Sequence, residues 1–471
     1  MIRFGTAGWR GIIGEDFTFR NVRLVTQAIA NYLLRPPEGD RSLVIGYDTR
    51  FLSEKFAAEA AKVLSHNHIL ALRCSRDTPA PALAHAISQL ALSGGLNFTA
   101  SHNPPEYTGL KLSEASGAPS LPEVTAEVEN ELRAIEADFH DEYFLSEDYF
   151  REINPTEGYL ERLRSQVDLR VIAGSKIKLG VDVLYGTGRA YLDRLLIEEG
   201  VPCEVLHNFR DPYFGGYGPD PSAASLAELA ELVASTDCAL GLATDIDADR
   251  FAIVDGDGTL LNANDVLGLL LDYILGERGP KGDVARTVAT THLIDRVADA
   301  HGVKTFETPV GFKYIGDLIR QGQVVFGGEE SAGLTVSNHL PEKDGILACL
   351  LVAELTARNG APLGKQLEDL WKRVGRSFHI RHDYRLSPAI ESEIDERVRS
   401  APNRLAGRKI REVKQLDGVK LLFDEAWFLW RRSGTEQLVR CYAEAPTEEE
   451  AESLHAASRD YLFGSHEVEM V

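Results

Sequence analysis

Three stretches of this chain repeat one design, an apolar β-rich run, a polar turn and then a helical pattern: SLVIGYDTRFLSEKFAAEAAKVL, KIKLGVDVLYGTGRAYLDRLLIEEG and ARTVATTHLIDRVADAHG. Strands that alternate with amphipathic helices bury their faces by forming βαβ units, so the repeat predicts α/β architecture with mixed, largely parallel sheets. At 471 residues the chain is too long for one compact core. The recurrence predicts related α/β domains over 1–154, 155–256 and 257–374, with Asn154-Pro155 supporting the first boundary. After about residue 375 the pattern changes. HIRHDYRL, VKLLFDE, WFLWRR and LVRCYAEA read as strands and EEEAESLHAASRDYLF as a helix, which predicts a smaller α+β domain over 375–471 with an antiparallel sheet.

The formal net charge of −22 repels nucleic-acid phosphates and anionic membranes at long range, so neither is expected as a partner. An anionic ligand must instead be captured by local positive groups. Part of the acidity is local: from Glu114 to Glu152 only Arg133 and Arg151 oppose a long series of Asp and Glu, a pattern that reads as a solvated helix and connector. Five cysteines lie far apart with no C-x-x-C pair, which argues against a zinc ribbon, a dithiol redox site or a disulfide framework. No run approaches the roughly 18 apolar residues of a membrane span. These features together predict a soluble, cytoplasmic protein.

Four segments carry chemistry. In TASHNPPEYTGLK, Pro104 and Pro105 lack N–H donors and hold the chain extended, so Ser101 is expected on a stiff, exposed bend, a way to present a nucleophile. DIDADR places Asp245, Asp247 and Asp249 at alternate positions, where side chains of an extended segment point one way and three carboxylates converge on a hard cation. A solvated acidic loop is the competing reading. An EF-hand fails, because its sixth position would be Arg250 rather than Gly and its twelfth Gly256 rather than Glu. Three carboxylates leave coordination positions open, which suits Mg²⁺ holding a phosphate oxygen. In WRRSGTEQ, Arg431, Ser433, Gly434 and Thr435 offer a phosphate cradle in a turn between strands, although an ordinary hairpin has the same pattern. GGEESAG offers Glu329, Glu330 and Ser331 to sugar hydroxyls, or is an exposed turn.

The chain lacks a G-x-x-x-x-G-K-[ST] loop, an H-E-x-x-H helix and a G-x-S-x-G elbow around Ser101. His102 beside it reads equally well as a turn residue. A presented serine, a Mg²⁺-type carboxylate triplet, a hydroxyl-reading loop and a phosphate cradle combine into phosphoryl transfer on a sugar phosphate.

In this order the motifs resemble the α-D-phosphohexomutase family over essentially the whole chain: FGTAGWRG matches its N-terminal segment, TASHNPPEYTGLK its phosphoserine loop, DIDADR its metal loop, GGEESAG its sugar loop and RRSGTEQ its phosphate loop. The resemblance implies a four-domain, heart-shaped architecture around a central cleft. It implies Mg²⁺ on Asp245, Asp247, Asp249 and an oxygen of phosphorylated Ser101, with Lys111, Arg10 and His102 assisting transfer. Substrate contacts would come from Arg250, Lys313 of TPVGFKYIGD, Glu329, Ser331, Arg431, Ser433, Gly434 and Thr435. The implied activity interconverts hexose 1- and 6-phosphates through a 1,6-bisphosphate, with glucose 1,6-bisphosphate as activator, in a monomer or homodimer. GGEESAG resembles the glucose and mannose members more than the glucosamine members, and phosphoglucosamine mutase is the nearest alternative. A catalytically silent sugar-phosphate-binding protein would have lost the serine, an aspartate or the lysine, and none is missing. The phosphate loop reads Thr-Glu-Gln where many relatives have Thr-Glu-Pro; Gln437 is expected to loosen that turn slightly.

Overall fold

The computed structural model describes residues 2–470 apart from 6–7, 36–40, 280, 388–389, 434–436, 465 and 467. Three of its sheets share one topology. In the first, strands Ser42–Tyr47, Leu70–Cys74, Gly94–Phe98 and Tyr107–Glu114 take the spatial order second, first, third, fourth, with the fourth antiparallel to the third and the others parallel. Trp9–Ile12 and Phe150–Ile153 extend this sheet at its two edges. The same order and the same antiparallel final strand recur in Lys178–Asp182, Cys203–Leu206, Cys238–Thr244 and Phe251–Asp255. They recur again in Asp283–Thr287, Thr305–Thr308, Val324–Glu329 and Gly333–Val336. The strand–helix alternation of the sequence is thus built three times, and each unit closes with a hairpin that alternation alone does not announce.

The first unit packs its own core, in which Phe17 stacks on Trp9 and meets Phe56 and Phe98 edge-on. The second and third units share one core, because helix Gly345–Asn359 is buried without interruption from Gly345 to Thr356 and packs with residues of both. A helix that is apolar all round has no solvent face and must be enclosed. Its one carboxylate, Glu354, is satisfied by Tyr273 and Arg278 at 2.8 and 2.6 Å. Among the described residues no single helix is long and apolar enough to cross a membrane.

The C-terminal sheet is antiparallel, in the order Phe378–Arg385, Leu438–Ala445, Trp427–Arg432, Val419–Leu422, Glu412–Lys414, with helix Glu448–Phe463 on one face. The acidic segment forms helix Pro122–Ile135, which buries only Val128 and Leu132, while Glu127 and Glu131 pair with Arg35 and Glu129 accepts from the Phe4 amide.

Candidate active site

The three repeated hairpins carry the candidate residues. Ser101 lies between Gly94–Phe98 and Tyr107–Glu114, the aspartates between Cys238–Thr244 and Phe251–Asp255, and Ser331 between Val324–Glu329 and Gly333–Val336. Each hairpin holds one non-glycine residue in the left-handed region, Ser101 at φ 49°, Ala248 at 55° and Ala332 at 67°. Left-handed backbone is costly for a residue with a Cβ, so each turn is held by its surroundings rather than by local preference.

Ser101 is 1 % exposed, not the surface hydroxyl its sequence context predicts. The aspartate hairpin of the second unit covers it, and Ser101 Oγ lies 3.2 Å from Asp245 Oδ2. Thr99 Oγ1 accepts from the Ser101 amide at 2.9 Å and donates to Asp247 Oδ2 at 3.2 Å. Lys111, on the returning strand, reaches Asp247 and Asp249 at 2.7 and 3.0 Å. Asp245, Asp247 and Asp249 bring carboxylate oxygens within 4.8 Å of one another. They converge because residues 245–250 turn, with Ala248 left-handed, and not because the segment is extended.

Burial, and then Asp247 and Asp249, push the Asp245 carboxyl well above its ordinary range. Burial would raise Asp249 as well, but Lys111, Lys343 and Arg250 outweigh it and hold that carboxylate ionised. For Lys111, burial opposes the charge and the two aspartates overcome it, so the ammonium is held above its ordinary value. Asp247 Oδ1 and Asp249 Oδ1 are buried without a hydrogen-bond partner. Unpartnered, crowded oxygens of this kind form a donor set that fits a hard dication such as Mg²⁺.

Arg10 donates to Asn103 Oδ1 within the serine loop, and burial followed by Arg250 lowers it to about 10. His102 is pushed far below its ordinary value by Arg250, then by burial and Arg10, so it is an uncharged imidazole in a positive field. Gly8 sits at φ 96°, where an added Cβ would lie 2.5 Å from Leu110 O, so only glycine lets the N-terminal segment rest on the strand that carries Lys111.

Sequence reasoning missed Arg50 and Lys343. Arg50 is fully buried, and its guanidinium donates to the carbonyls of Ser101, Asn103, Pro104 and Tyr107 while Nε pairs with Asp48 at 3.2 Å. It is this arginine, more than the Pro-Pro pair, that fixes the loop. Its signal is the run GYDTR, where polar residues follow a buried strand at the carboxyl end, the edge at which α/β sheets gather their sites. Lys343 lies 3.3 Å from Asp249 and 3.6 Å from Glu329, so it joins the second and third of these hairpins; its signal is the charged PEKDG just before the apolar helix.

Glu329 accepts from Ser331 Oγ at 2.8 Å, and Glu330 from Thr287 and Thr290 at 2.9 and 3.3 Å. A cavity of about 240 Å³ opens beside them, bounded also by Arg250, Asp220 and Arg381. Arg250 pairs with Asp220 at 3.4 Å.

Lys313 and Arg431 form a separate group. Lys313, lowered by burial, sits over the Tyr314 ring at 5.5 Å, and Tyr314 is within electrostatic reach of Asp417 and Arg431. Arg431 Nε donates to Asp417 Oδ2 at 2.8 Å, and the same oxygen accepts from Val310 N at 2.9 Å. Among the described residues no hydrogen bond or ion pair links this group to the three aspartates. Ser433 begins the turn, its amide bonded to Leu438 O at 2.9 Å, while Gly434 and Thr435 lie outside the described residues.

Comparison with known proteins is uniform along the chain. The family models for phosphoglucomutase/phosphomannomutase match at 1–139 (alpha/beta/alpha domain I), 157–258 (domain II), 262–374 (domain III) and 393–460 (C-terminal domain). A "Phosphoglucomutase/phosphomannomutase" of Thermococcus kodakarensis is 30% identical over 98% of this chain and 96% of its own. A "Probable phosphoglucosamine mutase" of Methanopyrus kandleri is also 30% identical, over 96% and 95%. The crystal structure of a "putative phosphomannomutase" from Thermus thermophilus superposes with a TM-score of 0.86 at 32% identity, covering 98% of this chain and 99% of that one.

Proposed function

The chain belongs to the phosphoglucomutase/phosphomannomutase family of phosphohexomutases, isomerases of sugar phosphates, and from that premise we propose that it interconverts the 1- and 6-phosphates of glucose and of mannose. The observation that carries the proposal is the enclosure of Ser101 Oγ, 3.2 Å from Asp245, in a cluster that Lys111 and three aspartates complete from two different units.

Ser101 serves as the phosphoryl carrier. In the phosphorylated enzyme its P–O bond breaks as a new one forms to the free hydroxyl of a hexose phosphate, the hydroxyl proton passes to the freed Ser101 Oγ, and a hexose 1,6-bisphosphate results. The bisphosphate reorients, the other phosphoryl group returns to Ser101 Oγ, and the isomeric monophosphate leaves. Mg²⁺ held by Asp245, Asp247 and Asp249 would neutralise charge on the transferring group. Lys111, whose ammonium reaches Asp247 and Asp249, stabilises developing negative charge. Arg10 and neutral His102 steady the loop. Glu329 and Ser331 hold sugar hydroxyls, Arg250 lines the substrate cavity, and Lys313, Arg431, Ser433, Gly434 and Thr435 take the distal phosphate. The five cysteines, all free, accord with a reducing cytoplasm.

Preference for a neutral hexose is supported by the sugar hairpin. Glu329 pairs with Lys343 at 3.6 Å, and Glu330, which accepts from two threonine hydroxyls, also lies in the field of Arg381, so each carboxylate already has a cation nearby and neither is reserved for a 2-ammonium group. The second reading, phosphoglucosamine mutase, is favoured by a relative of that name at equal identity. Initial rates on glucose, mannose and glucosamine 1-phosphates, with Mg²⁺ and a trace of glucose 1,6-bisphosphate, decide between them. Fast 6-phosphate formation from glucose or mannose without free phosphate is expected. Preferential turnover of glucosamine 1-phosphate would give the second reading, and stoichiometric phosphate release would make the protein a hydrolase.

A further inference from the structure

Strand Phe378–Arg385 presents Arg381 to the sugar cavity and, on the opposite face, His382 to helix Glu448–Phe463. That helix packs its inward stripe of Ala451, Leu454, Leu462 and Phe463 into the domain core, yet the same stripe includes His455, 6 % exposed. An imidazole at a position the helical period assigns to an apolar side chain brings two ring nitrogens that need polar partners. His382 lies over it with ring centroids 4.1 Å apart, and Glu452, three residues before His455 on the helix, brings an exposed carboxylate to the same point. One ligand atom from each of His382, Glu452 and His455 lies within 4.8 Å of the others.

We propose that His382, Glu452 and His455 form a structural binding site for a transition-metal dication of the Zn²⁺ class, with the Met470 thioether placed beside it. Zn²⁺ bonds to imidazole and carboxylate are about 2.0–2.2 Å, which sets tetrahedral ligand atoms about 3.3–3.6 Å apart. The exposed Glu452 and half-buried His382 have the rotamer freedom to close from 4.8 Å to that spacing. Tyr384 OH is 3.3 Å from His455 Nε2; in the tautomer that carries Nε2–H the hydroxyl accepts from it and Nδ1 is free to ligate, the outer-shell contact that ligating histidines usually show. Met470 Sδ is 3.0 Å from His382 Nδ1, a soft neighbour suited to a borderline metal and useless to Mg²⁺. The tail around it already bridges to the same strand, with Tyr384 paired to Met470 and Arg385 N bonded to Glu469 O at 3.0 Å. A bound ion therefore clamps helix, sheet edge and tail together. The site lies across the sheet from the sugar cavity and is independent of the mutase reading.

Co²⁺, a spectroscopic stand-in for Zn²⁺, is titrated into the full chain with Mg²⁺ in large excess to occupy the aspartate loop. One equivalent is expected to bind with the intense visible absorption of a four-coordinate ion, to be displaced by Zn²⁺, and to persist in Asp247→Asn. His382→Ala and Glu452→Gln are each expected to weaken it at least tenfold while mutase activity in Mg²⁺ stays at the wild-type rate, and Zn²⁺ raises the melting temperature of wild type but not of His382→Ala. Both variants change accessible side chains, so the test does not depend on the folding of a His455 variant. Wild type that binds no equivalent, binding that survives His382→Ala, or binding lost in Asp247→Asn would overturn the proposal.

Discussion

At Arg50 one buried side chain does what the loop's own residues cannot. Its guanidinium gathers four carbonyls of the serine loop, and no other residue type offers five donors in a fixed fork. Arg50→Ala removes the guanidinium from the Ser101 and Asn103 carbonyls and strips buried Asp48 of its counter-charge, so a loss of about 3–5 kcal/mol in chemical denaturation is expected, with a fall in kcat. Ser101→Ala removes only a hydroxyl; the melting temperature should hold while turnover drops by roughly 10³-fold or more. Full activity in a sequence-verified Ser101→Ala protein would remove Ser101 from its role. His85 adds a pH effect away from the chemistry. Burial, then Arg162 and His339, lower it to about 4 from an ordinary 6.5, so between those values the unfolded chain binds the proton that the folded chain refuses. Stability contributed by the neutral ring is intact above pH 6.5 and is lost as pH falls toward 4. Melting temperatures over that range should decline less steeply in His85→Gln than in wild type.

At the scale of elements, the hairpins show both what pattern reading catches and what it misses. The carboxylate spacing in DIDADR was legible as convergence, but its cause is a turn with left-handed Ala248, which alternation along an extended strand does not foresee. Burial of Ser101 was not legible, because the residues that cover it stand in another unit, with Asp245 144 positions further along the chain. The helix Gly345–Asn359 is pressed against this hairpin at its first residue: a Cβ on Gly345 would lie 2.2 Å from the carbonyl oxygen of Arg250. Gly345→Ala must displace backbone, and a cost of about 1–3 kcal/mol follows from such overpacking. Because the displaced residue adjoins Asp249, the Mg²⁺ concentration for half-maximal rate should rise. An unchanged metal titration in a destabilised variant would mean that the helix supports the fold without tuning the loop.

For the whole molecule, the second and third units share a core while the C-terminal sheet has its own and meets the third unit through a small apolar cluster, Val288 and Ala289 against Trp427, Leu429 and Tyr442, and polar contacts beside it, Lys420 to Glu307 at 3.1 Å, His379 to Ala289 O at 3.1 Å and Asp417 to Val310 N at 2.9 Å. An interface with so small an apolar core permits relative motion, and the proposed mechanism requires a bisphosphate to be retained while it reorients, so closure of the C-terminal domain is expected on binding. Small-angle scattering should show a smaller radius of gyration with glucose 1,6-bisphosphate; superimposable profiles would argue for a rigid molecule. The sequence by itself determined the kinds of element, the α/β repeat, the antiparallel C-terminal sheet and the residue types gathered for phosphoryl chemistry, since hydrophobic period, turn residues and carboxylate spacing are local properties. The tertiary structure alone decided that the repeated hairpins would be the ones to carry the candidate site, that Arg50 and Lys343 would join it, that Ser101 would be buried, and that His382 would meet Glu452 and His455. Those outcomes depend on which distant segments share a face, and that is fixed by packing between units, which leaves no periodic trace along the chain.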